Sequence, residues 1–135
     1  MTFFDEIFMM KSAEVFILIL LAIVFLQSGI DKITDWKGNL DWLTGHFANS
    51  PFGGMVSLLL GTLLFFEVMT GLVSIAGIVS IVSSGSSLIG LYACQLSAIT
   101  FLMLFLGQRL AKDYPGAETI VNYFVIAIIG MYLMK

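Results

Sequence analysis

Charge is what this chain lacks most. Only 11% of its 135 residues are charged, six basic against nine acidic, where soluble domains carry roughly 25%. With 59% hydrophobic residues besides, an ordinary water-soluble domain is excluded. The net charge is −3 and there is no basic block, which argues against a nucleic-acid partner. Cysteine is nearly absent too. Cys94 stands alone, so the chain offers neither an internal disulfide nor a C-x-x-C redox pair. His46 is the single histidine and falls in a connecting segment, so haem or zinc ligation has little to build on. A Ser–His–Asp site would have to assemble around that one residue. No phosphate-binding G-x-x-x-x-G-K-[ST] or dinucleotide G-x-G-x-x-G pattern occurs. No metal site is expected, and no cofactor is evident.

What the chain does have is long apolar runs. Every charge except Glu67 lies outside the interval from Pro51 to Gln108. A helix needs about 20 apolar residues to cross a bilayer, and four stretches meet or approach that length, at about 12–33, 52–82, 85–106 and 117–133. The flank before the first carries Asp5 and Glu6 as well as Lys11, and no A-x-A-like site follows it, so it reads as a span and not as a cleaved leader. The second is longer than a bilayer requires, which implies tilt, a kink or an interfacial first turn. SSGSS separates the second and third as a hairpin turn. Pro115-Gly116 precedes the fourth as a turn, with Glu118 expected in its first helical turn. Between the first two spans, Trp36 and Trp42 flank Leu40, and Leu40, Leu43 and Phe47 share the spacing of a short interfacial helix lying on the membrane. Residues Phe3 to Met10 are a second candidate for an interfacial piece. The expected fold is an all-α integral membrane four-helix bundle, a single transmembrane domain over residues 1–135, with a short interfacial helix between the first two spans. Basic residues divide two against four across the bilayer, Lys11 and Lys135 against Lys32, Lys37, Arg109 and Lys112, too narrow a margin to fix orientation.

In hydrocarbon every polar group needs a partner, so polar residues within the spans concentrate the information. Glu67 is the sharpest of them, near mid-membrane by the rise of about 1.5 Å per residue. It pairs with a cation, lines a wet cavity, or carries its proton. Glu67, Thr70, Gly71, Ser74 and Gly77 fall on one small, polar face, which aims Glu67 into the bundle. Its role is either helix-to-helix glue or function. The first span ends with Gln27, Ser28, Asp31 and Lys32. Gln27 and Asp31 share a face, as do Ser28 and Lys32, and Lys32 is the nearest counter-charge for Glu67 unless it turns to the headgroups. On the third span Gln95 is expected at the depth of Glu67 and within hydrogen-bond reach, with Tyr92 one turn away. These seven residues, Glu67, Lys32, Gln27, Ser28, Asp31, Tyr92 and Gln95, form the expected intramembrane network. No residue is assigned a catalytic role.

Two motifs carry a family resemblance. The first span reads LAIVFLQSGIDKI and the second FFEVMTGLVSIAGI. Ser28, Gly29 and Lys32, followed by Glu67, Gly71 and Gly77, resemble the pattern of the DoxX-like family of small four-helix membrane proteins. In place of the Gly-Gly pair often found after the glutamate, this chain has Thr70-Gly71. The lack of redox ligands, the short loops and the many small residues of the second span point to a non-catalytic subunit or scaffold in the bacterial cytoplasmic membrane, working with a membrane or periplasmic partner protein. The resemblance implies an alternative, a subunit of a thiosulfate:quinone oxidoreductase-like enzyme, with quinone as cofactor and Glu67 at a quinone or proton site. Association of several copies, through the glycine-rich second span, is a further expectation.

Overall fold

The computed structural model describes residues 2–48 and 53–135, and among them every regular element is helical. The helices are α1 (Phe3–Thr34), α2 (Trp36–Phe47), α3 (Val56–Ser84), α4 (Leu88–Leu110) and α5 (Tyr114–Met134), with a short 3-10 turn at Gly53–Met55 ahead of α3. Four of them, all but α2, are long and apolar enough to cross a membrane. The protein is an integral membrane four-helix bundle.

Each span is bounded by local chemistry. Thr2 and Asp5 form a capping box at the start of α1, satisfying two N–H groups that the helix cannot satisfy itself. Inside α1 the backbone leaves helical geometry at Lys11 (φ −124°, ψ 20°), which separates the first turns from the membrane-length remainder. Gly85 ends α3 with φ 76°, a left-handed cap open to glycine at little cost. The fourth span starts earlier than residue 117. Asp113 accepts a hydrogen bond from the Gly116 N–H at 3.2 Å, and Pro115 belongs to the first turn, where its missing N–H costs nothing. Glu118 therefore sits beyond the first turn. The expected start of the second span at Phe52 lies outside the described residues, and α3 itself begins at Val56.

The spans pack in the order α1, α3, α4, α5. Phe25 and Phe101 meet at the centre with ring centroids 4.6 Å apart, and Tyr123 stacks on Phe101 at 5.8 Å, so one aromatic pile joins α1, α4 and α5. Leu18, Leu21 and Ile81 are fully buried in the same core. Toward the α3–α4 turn the two backbones nearly touch: a Cβ on Gly77 would stand 2.9 Å from Gly90 Cα. The outer surface is apolar, with Phe16, Leu58, Phe65 and Leu102 each more than half exposed, as a surface facing acyl chains should be.

Helix α2 is the short helix expected between the first two spans, and one of its faces rests on the bundle end. Its Leu40, Leu43 and Phe47 pack with Val56 of α3 and Leu110 and Ala111 at the end of α4. Asp35 alone separates α1 from α2, and α2 covers the start of α3 and the end of α4. Trp42 stays exposed and stacks on His46 at 3.8 Å.

Candidate functional site

Helical side chains lean toward the N-terminus of their own helix. α1 and α3 are adjacent and run in opposite directions. Lys32, near the C-terminal end of α1, therefore leans back into the bundle, while Glu67 leans toward the end covered by α2. The two meet. Lys32 Nζ donates to Glu67 Oε2 at 3.2 Å and to Ser28 Oγ at 2.9 Å, and stands 3.0 Å from Oε1 as an ion pair. Glu67 is 0% exposed and Lys32 14%. Oε1 receives no well-aligned hydrogen bond among the described residues.

The glycines of the two motifs make this meeting possible. A Cβ on Gly29 would stand 3.1 Å from a Val68 methyl, and one on Gly71 would stand 2.6 Å from the Leu26 side chain. Bare backbone at both positions lets α1 and α3 approach closely enough for the charges to touch. Below the pair, Thr70, Ser74, Ser97 and Thr100 are buried between α3 and α4. The Thr70 and Thr100 hydroxyls are 3.1 Å apart, and each also reaches a carbonyl one turn back on its own helix.

The expected network divides. Lys32, Ser28 and Glu67 come together; Gln27, Asp31, Tyr92 and Gln95 do not, and all four are on exposed positions. Rotation of α4 is the reason. It turns its small residues, Ala93, Ser97 and Ala98, toward its neighbours, because these allow close packing, and that sends Tyr92 and Gln95 outward. Depth differs as well. Counting ~1.5 Å per residue from the Thr70–Thr100 contact, Gln95 is displaced from Glu67 by roughly 12 Å along the bundle axis. On α1 the inward face is set by Leu18, Leu21, Ala22 and Phe25, which leaves Gln27 and Asp31 on the other side.

Two features had little or no sequence signal. One is a cavity of about 360 Å³ between α2, the first turns of α3 and the last turns of α4, with Lys32, Asn39, Trp42, Leu60 and Gln108 in its wall. It is largely apolar, and its polar side chains are Lys32, Asn39, Gln108 and Trp42 with its indole N–H. Glu67 is reached from it only through Lys32. The other is a second polar cluster at the opposite end of the bundle. Lys11 Nζ donates to Gly85 O at 2.6 Å and to Ser87 Oγ at 2.8 Å, and Ser87 donates in turn to Glu14, which is buried. Lys11 and Glu14, three apart at the span boundary, were its only trace in the sequence.

Among the described residues no three His, Cys, Asp or Glu side chains gather as metal ligands. Comparison with known proteins found no matching family model, no matching curated protein and no matching solved structure.

Proposed function

We propose that this chain is a small DoxX-like protein of the bacterial cytoplasmic membrane, acting as a non-catalytic subunit or scaffold of a membrane complex. The observation that carries the reading is the closure of the Lys32–Glu67 pair. Both charges are spent on each other and on Ser28, and the carboxylate is fully buried. A pair held this way locks α1 to α3. Loops of only a few residues between α3, α4 and α5 leave little mass outside the bilayer for chemistry, so the working surface is the outside of the bundle and the α2 end. A membrane or periplasmic partner protein would dock there. The test is gentle extraction of the tagged chain from its host membrane into lipid nanodiscs, with mass spectrometry of what accompanies it. A stoichiometric second protein is expected. Recovery of this chain with lipid alone, under every mild condition tried, overturns the reading.

A second reading is favoured by the cavity. Its volume suits a ring-sized headgroup, its walls are apolar, and the Lys32 ammonium and the amides of Asn39 and Gln108 can donate to carbonyl oxygens, the combination a small amphipathic ligand needs. A quinone-linked oxidoreductase subunit would use it so. Quinone retained by the wild-type protein and lost in Lys32→Met and Trp42→Ala variants supports this reading; equal retention in all three removes it.

A further inference from the structure

The outward face of α4 carries Leu88, Tyr92, Gln95, Ile99, Leu102 and Leu106, all exposed. Their spacing alternates four and three, the repeat with which two membrane helices pack in a left-handed pair. Five of the six are side chains that lipid or its interface accepts. Gln95 is different. Its carboxamide has two donor hydrogens and an acceptor oxygen, makes no hydrogen bond among the described residues, and lies roughly 10 Å inside the start of α4, at hydrocarbon depth. Tyr92, one turn away, also has no hydrogen-bond partner among the described residues.

The other outward faces do not present this pair of unmet groups. On α3, Thr62 donates to its own Leu58 carbonyl at 2.9 Å. On α1, Gln27 is likewise exposed and without a hydrogen-bond partner among the described residues, but it lines a groove beside Ile75 and Ile78 of α3 and has no tyrosine one turn away. On α5, Asn122 is also exposed and unpaired among the described residues, but the hydroxyl one turn away belongs to Thr119, which donates to Pro115 O at 3.1 Å.

We propose that the outward face of α4 is a self-association seam, covered by α4 of a second copy of this chain, with Gln95 hydrogen-bonded to Gln95 of the partner subunit. The occupant follows from chemistry and symmetry. A carboxamide is its own complement, donating and accepting at once. Copies of one chain enter the bilayer in the same orientation, so the two-fold axis that relates them runs along the membrane normal. The two α4 helices are then parallel, and each residue of the seam faces its own counterpart. A lone polar residue in such a seam fixes register. The seam lies on the opposite side of α4 from its packed face, so it leaves the Lys32–Glu67 pair untouched and meets the cavity wall only at Leu106. It does not depend on which partner protein or ligand the bundle serves.

The test uses the full chain in lipid vesicles of phosphatidylethanolamine and phosphatidylglycerol, on a Cys94→Ser background. Single cysteines are placed on α4 (Ile99→Cys, Leu102→Cys), α3 (Met69→Cys), α5 (Val125→Cys) and α1 (Ile23→Cys), and disulfide formation is followed under mild oxidation. Cross-linking is expected at the two α4 positions and not at the others. Dimer dissociation is measured in parallel by energy transfer at varied protein-to-lipid ratio. Gln95→Leu is expected to weaken association roughly 3- to 30-fold, the range of interhelical polar contacts in membranes, and Asn122→Leu to leave it unchanged. Circular dichroism confirms that each variant is folded. Cross-linking confined to α1, α3 or α5, no cross-linking at any position, or undiminished association in Gln95→Leu overturns the proposal.

Discussion

The membrane span of α1 has a lysine near each end, and the bundle employs the two in different ways. Lys32 reaches inward to a carboxylate on α3 and is almost enclosed with it. Lys11 reaches sideways to the Gly85 carbonyl and the Ser87 hydroxyl in the α3–α4 turn, and meets Glu14 only through Ser87. The first arrangement places two opposite charges in contact in the interior. The second sets a cation at the C-terminal end of α3, where the helix dipole favours it, with a hydroxyl relaying to the acid. The difference lies in access to water. At the Lys11 end the span has reached its boundary, so a broken bond can be replaced by hydration. At Glu67, roughly 5 Å from the Thr70–Thr100 level near mid-span, nothing replaces Lys32.

Deleting one charge at a time separates the two ends. The largest effect is expected from Lys32→Met, which strands a carboxylate that is fully buried and should cost about 3–5 kcal/mol. The double variant Lys32→Met/Glu67→Met should recover most of that loss, because a buried pair replaced by apolar groups of similar volume is often near neutral. Reversible unfolding in mixed micelles reads both numbers, and a double variant as unstable as the single one would show that the pair is not a closed unit. Glu14→Ala should cost less, about 1–2 kcal/mol, since Lys11 keeps Gly85 and Ser87. A loss equal to that of Lys32→Met would erase the contrast between the ends. Thr70→Val, midway between them, should cost under about 1 kcal/mol, because the Thr100 hydroxyl still reaches Leu96 O. An effect of several kcal/mol in the same unfolding assay would mean that the hydroxyl contact couples the two clusters.

Glu67 could be read from the chain because hydrocarbon makes an unpaired acid intolerable, with Lys32 as no more than the nearest candidate partner, and the inward face of α3 from Glu67 to Gly77 followed from helical periodicity alone. Gln95 and Tyr92 could not be placed. Their residue types called for partners, but depth along a helix says nothing about its rotation, and Ala93, Ser97 and Ala98 decided which side of α4 turned inward. The cavity under α2 was illegible for a related reason. It forms where three helix ends meet, and none of its lining residues has a local signature.

By itself, the sequence determined that four apolar helices would cross a bilayer and that an acid inside one of them needed company. Both follow from the energetics of polar groups in oil and hold whatever the packing. Tertiary structure alone decided that Lys32 would supply that company, because only antiparallel neighbours lean their side chains toward one another. It also decided that two glycines would bring those helices within reach, and that an amide on α4 would be left facing outward.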